Sequence, residues 1–165
     1  MILKARAARI DDARAIAAIY NQGIADRVAT FETTPRTPEQ IARWFDGRHP
    51  IVVVEDDTGS VVAFASTSSY RDRDCYAGVA EYSVYVAREH RGVGAGNVAM
   101  AALIDAAPRA GIWKLVSRIF PENTASRALM ARMGFREVGT YRRHGKLDDA
   151  WRDCVIVERL IGEAE

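Results

Sequence analysis

Glu81-Tyr82-Ser83-Val84-Tyr85-Val86-Ala87-Arg88-Glu89-His90-Arg91-Gly92-Val93-Gly94-Ala95-Gly96 passes from an alternating strand, through a basic turn, into three closely spaced glycines that open a helix. A junction of this kind suits an anionic, phosphate-bearing ligand. Glycines let the ligand approach the backbone, and the first N–H groups of a helix lack intrahelical partners while carrying the positive end of its dipole. A tight turn without a ligand can use the same residues, so the glycines alone leave both readings open. Their spacing does exclude two kinds of phosphate loop. A Walker loop places Lys-Ser or Lys-Thr after its last glycine, where Asn97-Val98 stand here. A dinucleotide fingerprint starting at Gly92 demands a third glycine at the position of Asn97, and it normally sits on the first strand of its fold. What remains is Arg-x-x-Gly-x-Gly, read from Arg91.

The rest of the chain bounds what such a loop can serve. With 165 residues, 48% of them hydrophobic, the sequence suits one domain over 1–165 with a core large enough to stand alone. Its 23 basic and 22 acidic residues nearly cancel to +1, which argues against nucleic acid or a membrane surface as partner and for a small molecule. Met1-Ile2-Leu3-Lys4-Ala5-Arg6 lacks the apolar core of a signal peptide, and no apolar run approaches the roughly 18 residues of a membrane span. A cytoplasmic location is therefore expected. Cys75 and Cys154 lie far apart and suit two reduced thiols better than a disulfide framework. His49, His90 and His144 show no metal-ligand spacing, so no metal is expected.

Outward from the loop, the periodicities define the other elements. Residues 2–7 read as a first strand, and Asp11 or Asp12 can cap a helix whose apolar positions Ala13, Ile16, Ala17, Ile19 and Tyr20 keep helical spacing. Residues 27–38 mix Thr, Pro and charge with a single Phe, which predicts a loop of the kind that covers substrates, ahead of a short helix over 38–45. Two β-branched or small runs, 51–55 and 61–68, flank Asp56-Asp57-Thr58-Gly59-Ser60 as a hairpin. A fourth strand spans 79–87, a helix over 94–107 stops before Pro108, and a fifth strand spans 112–120. Pro121-Glu122-Asn123-Thr124 then ends that strand and caps a helix that carries Ala125, Leu129 and Met133 on one face and stops at Gly134. Residues 135–141 and 151–160 close the pattern as two strands. Hairpins mixed with helical crossovers predict a single-domain α/β fold, a mixed and mostly antiparallel sheet of about six to seven strands flanked by about four helices.

This order, with Arg-x-x-Gly-x-Gly after the fourth strand and Asn-x-x-Ser opening the last long helix, resembles the GNAT (N-acetyltransferase) superfamily over nearly the whole chain. Tyr20-Asn21, Ala29-Thr30-Phe31-Glu32-Thr33, Ala80-Glu81-Tyr82-Ser83-Val84-Tyr85-Val86 and Arg132-Met133-Gly134-Phe135-Arg136-Glu137-Val138-Gly139 resemble its phosphinothricin acetyltransferase group. Asn21-Gln22-Gly23-Ile24-Ala25-Asp26-Arg27-Val28, Tyr76-Ala77-Gly78-Val79-Ala80-Glu81 and Lys114-Leu115-Val116-Ser117-Arg118-Ile119-Phe120-Pro121-Glu122-Asn123 are similar to its arsinothricin N-acetyltransferase branch. The resemblance implies a homodimeric enzyme that moves acetyl from acetyl-coenzyme A to the α-amine of an amino acid that mimics glutamate and carries an arsinate or phosphinate tail. Such an activity detoxifies an antibiotic and confers resistance. Methionine sulfoximine, methionine sulfone or another amino acid is the alternative acceptor. A non-catalytic acyl-coenzyme A sensor is the reading from a different class, and it needs neither a base nor a substrate clamp.

The chemistry and the resemblance together nominate the site. An α-amine is mostly protonated at neutral pH, so its attack on a thioester requires a positioned base. Glu81 is the candidate, a carboxylate in an otherwise apolar and aromatic strand, where partial burial would favour its protonated form; an exposed strand-end glutamate is the alternative. Arg71-Asp72-Arg73-Asp74 can be a solvated charge run, but the group's spacing of a basic residue, an arginine and a tyrosine implies that Arg71, Arg73 and Tyr76 contact the substrate's anionic groups. Phe31 either packs over the substrate or anchors its loop. The backbone of Val84, Tyr85 and Val86 is expected to hydrogen-bond the pantetheine as another strand would. Arg91, Gly92, Val93, Gly94, Ala95, Gly96 and Asn97 would surround the pyrophosphate, with Asn123 and Ser126 as further coenzyme contacts or simply a helix cap and its first turn. Asp148 stands where some members of the group carry a histidine, so no second acid/base role is assigned to it or to His144.

Overall fold

The computed structural model describes residues 1–165 as one seven-stranded sheet with helices on both faces. The strands are β1 (Lys4–Ala7), β2 (Ile51–Glu55), β3 (Val61–Ser69), β4 (Val79–Val86), β5 (Lys114–Ile119), β6 (Arg136–Leu147) and β7 (Ala150–Leu160). The helices are α1 (Ala13–Asp26), α2 (Pro38–Ala42), α3 (Ala95–Ala106) and α4 (Thr124–Arg132). Strand order is β1-β2-β3-β4-β5-β7-β6, and only β4 and β5 run parallel, joined by the crossover through α3. No helix is long and apolar enough to cross a membrane.

Two cores explain the residue pattern. On one face α3 packs Ala99, Met100 and Leu103 against Val52, Val54, Ala63 and Leu115. On the other, α1 and α2 bring Ile16, Ile24 and Ile41 onto Val53 and Phe64. Successive residues of a strand point to opposite faces, so a strand covered on both sides must be apolar throughout, as Ile51-Val52-Val53-Val54 is.

Three features depart from the expected boundaries. Asp12 sits at the start of α1, but its carboxylate does not cap the helix; it accepts from the Arg9 N–H at 2.7 Å and from both ends of the Arg6 guanidinium at 2.8 and 2.9 Å. The first strand begins at Lys4 rather than at residue 2. β6 runs to Leu147, well past Tyr141, because the chain resumes pairing after a bulge: Tyr141 faces Cys154, then Gly145 faces Arg152. The three intervening polar residues Arg142, Arg143 and His144 hid the alternation, and the hairpin closes at Asp148 and Asp149, both with positive φ of 49° and 64°.

Candidate active site

The ladder between β4 and β5 lasts for three residue pairs and ends where Glu81 faces Val116. Beyond that point the strands part, bridged once more by the Ser117 hydroxyl, which donates to the Tyr82 carbonyl at 2.9 Å. The Ala87 N–H bonds the Val62 carbonyl at 2.8 Å, so by the alternation of a strand Tyr85 and Ser83 also turn their backbone groups to β3. Tyr82, Val84 and Val86 therefore turn theirs into the gap. A cavity of about 920 Å³ fills this gap, within the usual range for small-molecule sites.

Of the residues nominated from the sequence, Phe31, Glu81, Val84, Tyr85, Val86, Arg91, Gly92, Gly94, Ala95, Gly96, Asn97, Asn123 and Ser126 line this one cavity. Val93 is exposed and does not line the cavity. Arg71, Arg73 and Tyr76 lie outside the lining, on the exposed loop between β3 and β4. Arg71 rests 5.3 Å over the Tyr70 ring and Arg73 5.9 Å over Tyr76. Because Ser68 pairs with Glu81 across β3 and β4, this loop rises from the same end of the sheet as Glu81.

At the far end, Gly94 precedes α3 with a positive φ of 91° and offers no side-chain cap. The first intrahelical bond of α3 is Val98 N–H to the Gly94 carbonyl, 3.2 Å, which leaves the amides of Ala95, Gly96 and Asn97 without intrahelical acceptors. A Cβ at Gly92 or Gly94 would meet nothing within 4 Å, so the backbone is open to approach. Arg91 is held at this mouth by Asp26 at 2.7 Å and by the Val86 carbonyl at 3.3 Å, and Arg88 pairs with the same Asp26 at 2.7 Å. The hydrogen bond from Arg88, and that from Arg91, hold the Asp26 carboxyl below the usual range against the opposing effect of burial. Free helix amides beside an arginine fit a diphosphate, and the unpaired β4 edge fits an extended chain containing amides.

At the inner end, the Glu81 carboxylate accepts from Arg118 at 2.8 Å, with the two side chains 34% and 49% exposed. The apolar surroundings expected for Glu81 are thus interrupted by a guanidinium. Arg118 was not among the nominated residues, although it is the only charged residue between Lys114 and Glu122, a signal like the one that picked out Glu81. Cys154 on β7 forms part of the floor, where burial pushes its thiol up despite the nearby Arg118. Tyr20 stacks on Tyr85 with ring centroids 5.0 Å apart, and burial pushes the Tyr85 hydroxyl well above its ordinary range. Gly23 permits this stack, since a Cβ there would stand 2.6 Å from the Tyr85 ring.

The loop over the cavity is fixed from several sides. Asn21 bonds the Arg36 backbone through both its amide groups at 2.9 and 2.8 Å. Phe31 meets Phe120 edge-on at 5.0 Å and lies against Gly145 of β6, where a Cβ would come within 2.8 Å of its ring. Asp148 accepts from Arg27 at 2.9 Å, which ties the β6–β7 turn to the end of α1 and keeps that carboxylate out of the cavity lining.

Comparison with known proteins agrees with this geometry. Residues 16–135 match the model of the acetyltransferase (GNAT) family. The chain is 34% identical over 157 residues to a phosphinothricin N-acetyltransferase of Streptomyces coelicolor (strain ATCC BAA-471 / A3(2) / M145), covering 92% of each. It is 33% identical to an L-methionine sulfoximine/L-methionine sulfone acetyltransferase of Pseudomonas paraeruginosa (strain DSM 24068 / PA7), over 93% of this chain and 91% of that one. Its fold superposes with a TM-score of 0.91 on a phosphinothricin acetyltransferase from Sinorhizobium meliloti in complex with acetyl-coenzyme A, at 30% identity and covering 99% and 91% of the two chains. A glycine-opened α3 beside a split parallel pair, together with these matches, makes the chain a member of the acetyltransferase (GNAT) family.

Proposed function

We propose that the protein transfers the acetyl group of acetyl-coenzyme A to the α-amine of a glutamate-mimicking amino acid with an arsinate or phosphinate tail, and so confers resistance to it. The observation that carries this reading is Glu81, a carboxylate inside the cavity at the point where the β4–β5 ladder ends. The amides of Ala95, Gly96 and Asn97, with Arg91, would hold the diphosphate, and the backbone of Val84 and Val86 would hold the pantetheine. Acetyl-coenzyme A supplies the thioester: the amine nitrogen bonds its carbonyl carbon, the carbon–sulfur bond breaks, and the thiolate departs. Glu81 takes the proton that the ammonium group must lose before attack, and the second proton, released from nitrogen as the amide forms, passes to the departing thiolate. Phe31 shields the acceptor from water, and Arg71, Arg73 and Tyr76 on the loop at the Glu81 end take the anionic tail.

The resemblance of residues 21–28, 76–81 and 114–123 to the arsinothricin branch supports the arsinate acceptor. A sulfoximine or sulfone acceptor is the second reading, supported by the 33% identity to enzymes named for those substrates. Release of coenzyme A thiol on a panel of arsinothricin, phosphinothricin, methionine sulfoximine and methionine sulfone tests both. The highest kcat/KM is expected for arsinothricin; a higher value for a sulfur acceptor would transfer the assignment, and thiol release independent of any amino acid would remove it. The same reading places the enzyme in the cytoplasm as a homodimer. Exposed Val138, Tyr141 and Trp151 on the outer hairpin support the dimer, which equilibrium sedimentation checks.

A further inference from the structure

The acceptor end of the cavity holds a cation to which the mechanism above gives no part. Arg118 lies two residues past Val116, the partner of Glu81, so both side chains rise from the same face of the sheet where β4 and β5 part. Its guanidinium makes a single hydrogen bond, to Glu81 at 2.8 Å, and its other donors remain free at a side chain that is 49% exposed and lines the cavity. A guanidinium presents a planar fork that matches a carboxylate, and one donor on Glu81 leaves that fork available. Glu81 and Arg118 together therefore present a negative and a positive group in contact, the charge inverse of the head of a free α-amino acid.

We infer that Arg118 binds the α-carboxylate of the acceptor while Glu81 receives its α-amine, so that the pair selects free amino acids over peptide and protein N-termini. The inference rests on the acceptor being an amino acid, as proposed above. Connectivity separates the head from the tail. The amine and the carboxylate hang from one carbon, so an anion on Arg118 beside an amine on Glu81 is the α-carboxylate; an anionic tail, several bonds further out, is left to other cations. In a peptide N-terminus that carboxylate is replaced by a neutral amide, which leaves the Arg118 fork without an anionic partner. This explains why a cavity able to admit an α-amine need not acetylate every one it meets.

The test compares phosphinothricin with its α-carboxamide, which keeps the amine and the tail but loses the head carboxylate. At saturating acetyl-coenzyme A, kcat/KM for both is measured on the wild type, R118M, R118Q and R118K. Taking each variant relative to wild type on the same acceptor cancels the different basicity of the two amines and any loss that acts through Glu81. R118M and R118Q are expected to lose about thirty-fold more on the free acid than on the carboxamide, chiefly in KM, with R118K recovering part of the difference. Equal losses on the two acceptors, with a displaced pH-rate profile, would make Arg118 a positioning residue for Glu81 and overturn the inference. No loss on either acceptor would overturn it too. A wild type that acetylates phosphinothricin and its carboxamide alike sinks this inference alone, whereas a wild type that acetylates no amino acid sinks the proposed acceptor class along with it.

Discussion

Glu81 occupies the one position on β4 where a side chain is still anchored by paired strands on both sides yet stands at the opening between them. That placement gives its carboxylate a fixed origin and an accessible end. Glu81→Gln keeps the shape and removes the proton acceptor, so kcat should fall by about a hundred-fold or more, and the remaining rate should rise with pH as the amine deprotonates unaided. A pH-rate profile of the variant checks this; an unchanged profile removes Glu81 from proton transfer. The residue was nominated because an attacking amine needs a base and because the resemblance points to this glutamate; its strand alone left it equally open as an exposed strand-end residue. Arg118 is likewise a charge within a strand, one strand away, but its meaning depends on the parallel register that brings Val116 opposite Glu81, and no local pattern encodes that pairing. Arg71 and Arg73 were nominated through the resemblance and their spacing; the loop that bears them sets both guanidinium groups over tyrosine rings, outside the cavity lining but at the Glu81 end of the sheet.

Among the elements, α3 is defined by its beginning. Gly94 holds φ at 91°, a conformation that costs an L-residue about 1–2 kcal/mol, and its lack of a side chain leaves the next three amides open. Gly94→Val should therefore weaken acetyl-coenzyme A binding by about ten-fold while changing acceptor KM little, as measured by calorimetry and steady-state kinetics. The glycine pattern announced this helix start from the sequence, since three small residues between a strand and an apolar run have few other structural explanations. The β6–β7 hairpin was only half legible. Its outer part is polar and bulged, so the alternation that marks a strand is lost between Tyr141 and Gly145, although pairing resumes and brings Gly145 under Phe31. Gly145→Val would drive a side chain into that ring, displacing Phe31 from Phe120. Acceptor KM should rise several-fold and Tm should fall, with acetyl-coenzyme A affinity retained; an unaltered acceptor KM would mean that Phe31 does not cover the substrate.

At the scale of the molecule, the sheet and its two cores were readable because apolar periodicity encodes burial, whereas the ion pairs that bind β1 to α1 and β2 were not. Arg6 joins the nearly buried Asp12 at 2.8 Å to Glu55 at 2.8 Å, and its hydrogen bonds hold the Asp12 carboxyl below its ordinary value of 3.8 against the opposing effect of burial. Asp46 behaves similarly: burial pushes it up, but the His49 backbone and ring and the Arg48 N–H bring it down to about 2. A carboxyl with a lowered folded value stabilises the fold above its unfolded value and loses that contribution as pH falls through the folded one. Asp12→Asn should accordingly cost about 2 kcal/mol at neutral pH, with the difference from wild type shrinking as pH drops below about 4, measured by urea unfolding across pH. The whole arrangement rests on the gap between β4 and β5 being the coenzyme site, and a crystal structure with acetyl-coenzyme A tests that most directly. The diphosphate is expected on the amides of Ala95, Gly96 and Asn97, the pantetheine along Val84 and Val86, and the acetyl group facing Glu81; a coenzyme bound elsewhere, or an acetyl group turned away from Glu81, would contradict that assignment.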